Sequence, residues 1–244
     1  MPDDAAAPTP TPRTGPVLGV YAHPDDAEIS AGGTLAKWCA DGRQVHLLVL
    51  TNGDRGSGDP RRDRAELAAT RLAETEAAGE VLGLASVRVL AIHDGELANT
   101  EVVREAVVRR IREVEAETVV SVDPTAWFFE NRYYNHSDHR IAGEIALDAS
   151  YPGSGNPHYF SEQLQEGLEI REVHDIWLGW TNEPNHVQDI SGTFHTMIAA
   201  LAKHDSQLTE GIRFFEEFLS KEAVALGATI GVAYAEGFRV LDLS

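Results

Sequence analysis

Two short clusters of histidine and aspartate hold the side chains of this sequence that are best suited to chemistry. In AHPDDAE, His23 stands three positions before Asp26, and in YYNHSDHR, His136 stands three positions before His139. Imidazole nitrogens and carboxylate oxygens are both ligands of divalent cations such as zinc. Residues three apart also share one face of a helix, so each pair can point to the same side. The two clusters therefore predict a metal site.

The number of candidate ligands favours a catalytic metal over a structural one. A catalytic zinc keeps three protein ligands and an open position, and His23, Asp26 and His139 form such a set. Asp25 and His136 then remain uncommitted beside the ion. Hydrolysis requires such a pair: a carboxylate that takes a proton from an activated water, and an imidazole that stabilises the oxyanion or protonates the departing amine.

Asp138, between the two histidines of the second cluster, is predicted to hold His136 in orientation. Taken singly, H-x-x-H and Asp-Asp pairs are common in solvated turns that bind no metal. Their joint occurrence is informative because each follows a predicted strand, at the sheet edge where α/β proteins bind ligands.

The elements that must position these clusters alternate between apolar runs of strand length and longer segments of helical period. Strands are predicted at PVLGVYA, VHLLVLTNG, SVRVLAI, TVVSVDP and a run near Ile176, with helices between them. Such alternation predicts an α/β, Rossmann-like fold: an open, mostly parallel sheet with helices on both faces. A last helix, Thr209 to Gly227, and a short strand, FRVLDL, are expected at the end.

A Rossmann-like order raises the hypothesis of a dinucleotide enzyme, and the first turn argues against it. Dinucleotide binding requires G-x-G-x-x-G after the first strand, where backbone amides approach a pyrophosphate. Here that turn is AHPDDAE, whose two carboxylates repel a pyrophosphate. The Gly-rich GDRGSGD lacks G-K-[ST], so a P-loop is disfavoured as well.

Charge and composition argue against several other classes. The 244 residues carry 20 Lys and Arg against 39 Asp and Glu, a net charge of −19 that disfavours binding to nucleic acid or to an anionic membrane. No stretch of the sequence approaches the roughly 20 apolar residues of a membrane helix. A single cysteine, Cys39, permits no internal disulfide, which fits the cytoplasm. We predict residues 1–15 as a disordered segment and residues 16–244 as one domain.

At the two clusters the chain resembles the PIG-L/LmbE-type zinc-dependent deacetylases, which include deacetylases of N-acetylglucosaminyl lipids and of mycothiol and bacillithiol precursors. The family's A-H-P-D-D-x-E is matched by Ala22 to Glu28, and its H-x-D-H by His136 to His139. The resemblance extends from Val17 over most of the chain. It implies one zinc ion per chain, with the ligand set, the general base and the imidazole partner named above.

Weaker matches imply substrate-binding roles. Arg71, in the family's R-x-x-E, could reach a substrate hydroxyl or phosphate, or else form an exposed ion pair on its helix. Asp94, in HDG after the third strand, resembles a carboxylate that holds sugar hydroxyls, or else is a turn aspartate. Tyr134 resembles a tyrosine that touches the substrate carbonyl, a role that Tyr133 could take instead. The segment HDSQ near position 205 is expected to serve packing or helix capping.

Together these features predict a cytoplasmic, zinc-dependent hydrolase that removes an N-acetyl group from an amino sugar or a related small metabolite. Neither nucleic acid nor a membrane is an expected partner, and a homo-oligomer is compatible with the family likeness. The predicted metal ligands bear only on the amide bond and not on the rest of the substrate. A non-sugar N-acyl metabolite, such as a thiol conjugate or an antibiotic intermediate, is therefore an alternative. A non-catalytic sugar- or metal-binding module is the alternative from another class, although mere binding has no need of Asp25 and His136.

Overall fold

The computed structural model describes residues 13–244 as alternating strands and helices. The strands are β1 (Val17–Tyr21), β2 (Val45–Thr51), β3 (Ser86–Ile92), β4 (Thr118–Val122), β5 (Phe128–Phe129), β6 (Tyr133–Tyr134), β7 (Asp175–Gly179), β8 (His186–Asp189) and β9 (Ala235–Asp242). The helices are α1 (Asp26–Ala40), α2 (Arg64–Leu82), α3 (Glu101–Glu113), α4 (Ser137–Asp148), α5 (Ser161–Gln165), α6 (Phe194–Leu201) and α7 (Ile212–Ile230). A π-helical turn, Ala149–Ser154, follows α4.

A seven-stranded sheet in the order β3-β2-β1-β4-β7-β9-β8 forms the centre of the structure. β3, β2, β1, β4 and β7 run parallel, whereas β9 pairs antiparallel with both β7 and β8. The predicted α/β fold with an open, mostly parallel sheet is confirmed. The sequence does not predict β8 or the small hairpin of β5 and β6. These strands are too short to show a recognisable alternation of apolar and polar residues.

The sheet buries apolar side chains on both faces because successive residues of a strand point to opposite sides. In β1, Leu18 and Val20 belong to the core on one face, together with side chains of α3 and α4. Val17 and Tyr21 belong to the core on the other face, together with side chains of α1. All four residues are fully buried. Helices therefore cover both faces, as predicted.

The last helix ends later than the predicted Thr209 to Gly227. The observed helix, Ile212–Ile230, ends before Gly231, whose backbone φ of 78° is the left-handed conformation that glycine adopts most readily at a helix C-terminus. Gly227 instead lies inside the helix, where a Cβ atom would come within 2.7 Å of the Val232 carbonyl oxygen. Glycine at position 227 allows the backbone of residues 232 and 233 to pass close to the helix, and it does not mark the helix end.

The carboxyl ends of the parallel strands carry the segments of the predicted site. β1 leads into His23, β2 into the TNGDRGSG loop, and β3 into Asp94. The second cluster follows β4, after the β5–β6 hairpin, and begins α4. Because β1 and β4 are neighbours in the sheet, the two clusters lie at the same edge.

Among residues 13–244, no helix has the length and apolar composition needed to cross a membrane. The predicted disordered segment, residues 1–15, falls largely on residues 1–12, which lie outside the described residues. Its boundary with the domain over residues 16–244 stays a prediction.

Candidate active site

The AHPDDAE cluster forms the turn between β1 and α1. The His23 amide donates a hydrogen bond to Oδ2 of Asp26 at 2.8 Å, which fixes the first residue of α1 against the end of the strand. Asp25, next to Asp26, has a backbone φ of 100°, a conformation that L residues rarely adopt. Such strain persists only where surrounding contacts hold it, and it is concentrated at functional sites.

Three side chains from this turn and from α4 converge on one point. Nδ1 of His23 lies 3.1 Å from Nε2 of His139, and the carboxylate of Asp26 lies 3.5 Å from the first nitrogen and 3.2 Å from the second. Ligand atoms about 2.0–2.1 Å from a tetrahedral zinc ion are themselves about 3.3 Å apart. The three predicted ligands therefore fit a single metal ion of that size.

The outer ring nitrogens of both histidines face acceptors. Nε2 of His23 lies 3.2 Å from the Asp94 carboxylate and 3.5 Å from the Asp138 carboxylate. Nδ1 of His139 lies 3.0 Å from the amide oxygen of Asn135. An outer N–H that faces an acceptor leaves the inner nitrogen with its lone pair, the form that binds metal. When both rings are neutral in this form, the two inward nitrogens, 3.1 Å apart, each present a lone pair, so the arrangement suits a cation between them.

Asp138 is held differently from the prediction. Its carboxylate accepts a hydrogen bond from the Gly95 amide at 2.7 Å and faces His23, not His136. His136 instead caps α4, because its Nδ1 accepts a hydrogen bond from the Asp138 amide at 3.3 Å. The Asp138 carboxylate thus supports a candidate ligand, and His136 is oriented by the backbone of the helix that it begins.

Two further groups of potential ligands overlap this trio. In each group, one ligand atom per residue lies within 4.8 Å of the others; the groups are His23, His136 and His139, and His23, Asp94 and Asp138. The trio with Asp26 is tighter, because its closest atoms are at most 3.5 Å apart. It also leaves His136 and Asp94 free to face the cavity that opens beside the site.

Burial shifts the pKa values of the two uncommitted side chains. It raises the pKa of Asp25 to about 6, a rise that the Arg71 guanidinium limits. It lowers the pKa of His136. At Asp26 burial also disfavours the charge, yet the neighbouring imidazoles in their protonated form, His139 foremost, hold the pKa of that carboxyl well below its usual range. A charged ligand beside a carboxylate with a pKa near 6 and a neutral imidazole suits hydrolysis near neutral pH.

Arg71 of α2 is buried behind Asp25, with 3% of its surface exposed. Its guanidinium donates hydrogen bonds to the carbonyl oxygens of Gly53 at 3.1 Å and Pro24 at 2.5 Å, and Nη2 lies 3.3 Å from the Asp25 carboxylate. Glu74, its partner in R-x-x-E, accepts hydrogen bonds from the HDSQ segment instead. The alternative of an exposed ion pair on the helix is therefore wrong.

A cavity of about 570 Å³ opens beside the trio, a size that suits a small molecule. Part of its lining is polar, and we call this the polar wall: Asp25, Gly56, Arg71, Asp94 and Gln207. Another part, the apolar wall, consists of Ile29, Phe129, Trp180, Phe218 and Leu219. The cavity thus offers two chemically different surfaces next to one candidate metal centre.

Tyr133 lines this cavity and Tyr134 does not. The Tyr134 side chain is exposed, and its hydroxyl accepts a hydrogen bond from Arg140, whose guanidinium lies 3.7 Å from the ring centre of Trp127. Neighbouring residues of a strand point to opposite sides, so the two tyrosines of β6 cannot both face the substrate. We therefore propose that Tyr133, and not Tyr134, makes the predicted contact with the substrate carbonyl.

Several residues of the site are not singled out by the sequence. Asn135 is fully buried beside His139, and the ring of Trp180, directly after β7, lies 5.0 Å from that of His139. Glu28 and His204, both fully buried, face each other with 3.4 Å between Oε2 and Nε2. Asn135 and Glu28 stand inside the recognised clusters, which is a signal that could have found them. Trp180 carries no such local signal, and His204 belongs to the HDSQ segment, for which the sequence indicates only packing or helix capping.

Comparison with known proteins finds relatives along most of the chain. The family model described as "PIG-L: GlcNAc-PI de-N-acetylase" matches residues 18–150. The chain is 34% identical to diacetylchitobiose deacetylase of Thermococcus kodakarensis, over 91% of this chain and 82% of that protein. It is 29% identical to 1D-myo-inositol 2-acetamido-2-deoxy-alpha-D-glucopyranoside deacetylase of Rhodococcus erythropolis, over 85% and 86% of the two chains. The solved structure of N,N'-diacetylchitobiose deacetylase from Pyrococcus horikoshii, 31% identical, matches with a TM-score of 0.85 over 94% of this chain and 84% of that chain.

Proposed function

The chain belongs to the PIG-L family, and on this premise we propose that it removes the acetyl group from an N-acetylated amino sugar. It is an enzyme, a metal-dependent amide hydrolase of the deacetylase type. Relatives named for diacetylchitobiose and for an inositol-linked acetamido sugar support the substrate class. The reaction consumes one water and releases a free amine and acetate.

The close approach of one ring nitrogen each of His23 and His139 to the Asp26 carboxylate is the observation that carries the proposal. Two imidazoles and one carboxylate form a donor set found in catalytic zinc sites, so we propose that these three residues hold one zinc ion. When bound, zinc polarises an amide carbonyl and makes a water molecule more acidic.

Asp25 acts as the general base in this proposal. Its carboxylate lines the cavity next to the trio without belonging to the close ligand set, and Arg71 holds it from behind at 3.3 Å. A carboxylate fixed in this way can take a proton from water as the C–O bond forms and deliver it to the amide nitrogen as the C–N bond breaks. The second hydrogen of the water stays on the acetic acid, which then ionises.

His136 stabilises the negative charge that develops on the carbonyl oxygen. Because its Nδ1 accepts a hydrogen bond from the Asp138 amide, Nε2 carries the proton of the neutral ring. An N–H group fixed beside the reacting carbonyl can donate to the oxyanion. Of the two roles considered for His136, this arrangement favours electrostatic stabilisation over protonation of the amine.

The polar wall suits the hydroxyl groups of a sugar. Arg71 offers guanidinium donors, Asp94 a carboxylate acceptor, and Gln207 an amide with both. A hydroxyl group that is buried without a partner loses affinity, so such groups are needed around a sugar. We propose Arg71, Asp94 and Tyr133 as substrate-binding residues.

A substrate panel tests the proposed function. The zinc-loaded protein is assayed for acetate release from N-acetylglucosamine, N,N'-diacetylchitobiose and non-sugar N-acetyl amines of similar size, with and without a chelator. We expect sugar hydrolysis that a chelator stops and added zinc restores. Hydrolysis confined to non-sugar amides would contradict the sugar substrate. A protein that binds the sugars and metal but hydrolyses no amide would instead be a binding module.

Cytoplasmic localisation, the absence of nucleic-acid and membrane partners, and homo-oligomer formation stay predictions from composition and family likeness. Fractionation of cells and the measured mass of the purified protein in solution would test the first and the last of these.

A further inference from the structure

A second cavity of about 250 Å³ adjoins the active-site cavity. The two cavities share five lining residues, four of them from the apolar wall: Ile29, Phe129, Trp180, Leu219 and Glu222. We call the second cavity the side chamber. Its further apolar lining is Pro184, Ile190, Met197, Ala223, Leu226, Ala235 and Gly237, and its further polar lining is Ser30, Thr181 and Glu236. The side chamber therefore continues the apolar wall away from the candidate metal centre.

The polar wall fixes which half of a substrate faces it. Four of its members are contiguous, because Arg71 contacts Asp25 and a Cβ atom at Gly56 would lie 2.5 Å from Arg71 Nη1 and 2.8 Å from Gln207 Oε1. A sugar carries many hydroxyl groups, and these would be left unpaired against aliphatic and aromatic side chains. The amine half of an N-acyl amino sugar therefore faces the polar wall.

The acyl half then faces the apolar wall, because the scissile carbonyl lies between the two halves of the substrate. Trp180 is the fixed part of that wall. Its ring lies 5.0 Å from that of His139, and its backbone φ of 48° is uncommon for a bulky residue, which indicates that its surroundings hold it in place. The apolar wall thus begins at a candidate metal ligand and leads into the side chamber.

The carboxyl group of Glu236, which lines the side chamber, is compatible with an apolar acyl chain bound there. Glu236 already accepts hydrogen bonds from the amides of Gly33 and Thr34, at 2.9 Å and 2.8 Å, and from the Thr34 hydroxyl at 2.5 Å. Burial raises the pKa of Glu236 to about 7, so its carboxyl is partly protonated at neutral pH, and burial also raises the pKa of Glu222. An alkyl chain that displaces water there leaves the Glu236 carboxyl with its hydrogen bonds from Gly33 and Thr34.

We propose that this enzyme hydrolyses amino sugars whose straight N-acyl chain is longer than acetyl, with the chain lying in the side chamber. This inference rests on the proposed function and specifies its substrate class. The bonds that change are the same: the C–N bond breaks, a C–O bond to water forms, and an amine and a longer carboxylate are released. Each methylene that becomes fully buried should raise kcat/KM by up to about fourfold.

A chain-length series on the intact, zinc-loaded protein tests the inference. N-acetyl-, N-butyryl- and N-hexanoylglucosamine are compared by kcat/KM, with release of the free amine as the common readout. We expect kcat/KM to rise from acetyl to hexanoyl by about tenfold or more. A flat or falling series would overturn the inference while leaving deacetylation intact, and a failure to hydrolyse even the acetyl substrates would overturn the proposed function itself.

Narrowing the side chamber supplies an independent test. A Cβ atom at Gly237 would lie 3.5 Å from Leu226 and 3.6 Å from Pro184, ordinary contacts, so Gly237→Val adds bulk without a backbone clash. Valine also suits its position in β9. We expect the ratio of hexanoyl to acetyl kcat/KM to fall about tenfold. Gly192→Val is the matched control, since nothing lies within 4 Å of a Cβ atom there, and it should keep the native ratio.

Widening the chamber keeps the test decisive if the valine variant fails to fold. Leu226→Ala removes side-chain volume from the chamber lining without touching the catalytic residues. We expect the ratio of octanoyl to hexanoyl kcat/KM to rise at least threefold in this variant. A ratio unchanged from that of the native protein would overturn the placement of the acyl chain.

Discussion

The guanidinium of Arg71 lies 3.3 Å from the carboxylate of Asp25, and the arginine is almost completely buried. The same guanidinium donates hydrogen bonds to the carbonyl oxygens of Pro24 and Gly53. One side chain of α2 therefore holds the turn that carries both the proposed base and, next to it, the candidate ligand Asp26. The left-handed backbone of Asp25 is stable in part because of these contacts.

Replacing Arg71 with methionine should lower kcat about 100-fold or more while leaving close to one zinc per chain. A base displaced by about 1 Å can lose two orders of magnitude in rate. Asp26 is also held by the His23 amide, and His139 by Asn135, so the ligands keep contacts that do not depend on Arg71. Steady-state kinetics and metal analysis on the same preparation check this. Arg62→Met, at an exposed arginine, is the control and should behave as the native protein. A rate for Arg71→Met within threefold of native would contradict the assignment.

Asn135→Ala should weaken zinc binding about 10- to 100-fold. Its amide oxygen lies 3.0 Å from Nδ1 of His139, and removal of such an outer partner leaves the ligand ring free to rotate and less basic. Competition with a chromophoric chelator measures the change in Kd. Asn135→Asp keeps an acceptor at this position and should retain most of the affinity. Equal losses in the two variants would show that the residue acts through packing alone.

The buried pair of Glu28 and His204 should stabilise the fold as a unit. Burial opposes a charge on His204, but the carboxylate of Glu28 outweighs it and raises the pKa of the imidazole. Removing one partner leaves the other buried without compensation, so His204→Ala should lower the free energy of unfolding by about 3–5 kcal/mol. The exposed His195→Ala should change it by less than about 0.5 kcal/mol.

A double variant distinguishes an energetic interaction between Glu28 and His204 from independent packing contributions of the two residues. In urea denaturation, Glu28→Gln combined with His204→Gln should lose less free energy of unfolding than the two single variants added together. Strict additivity would indicate that Glu28 and His204, although 3.4 Å apart, do not interact energetically.

Glu236 should make the protein less stable as the pH rises from about 4.5 to about 7. Burial raises its folded-state pKa from 4.5 to about 7, so in this window the folded protein binds more protons than the unfolded chain. The stabilisation is fully present below pH 4.5 and is lost as the pH passes through 7, with a total of up to about 3 kcal/mol.

The comparison with Glu236→Gln isolates this effect from other titrating groups. Urea denaturation of both proteins at several pH values gives the difference in free energy of unfolding, which should change across the window because the glutamine variant lacks the titration. A difference that is constant from pH 4.5 to 7 would mean that the hydrogen bonds from Gly33 and Thr34 hold the Glu236 pKa near its ordinary value.

The candidate ligands and the fold class could be predicted because both depend on local patterns. The residue types themselves identify potential ligands such as His23 and Asp26, and a single turn brings these two together. The spacing of apolar residues along the sequence indicates where strands and helices alternate. Once β1 and β4 are neighbours in a parallel sheet, His139 has to approach that turn. The family resemblance at the same residues agrees with this local reading.

Other parts of the site depend on contacts that no local pattern specifies. Asp138 turns to His23 because the Gly95 amide, on a different loop, holds its carboxylate. Trp180 reaches His139 only because β7 follows β4 in the sheet order, and His204 reaches Glu28 from a segment that gives no sign of a partner. The side chamber likewise exists only where α7 and β9 meet the apolar wall.

Metal content and turnover measured together in Asp25→Asn test the central claim most directly. If the trio of His23, Asp26 and His139 holds the metal and Asp25 serves as the base, native protein and Asp25→Asn should each bind about one zinc per chain. Asp25→Asn should turn over about 10²- to 10⁴-fold more slowly, and His139→Ala should lose the metal. Native-like turnover in Asp25→Asn, or full zinc occupancy in His139→Ala, would contradict the account.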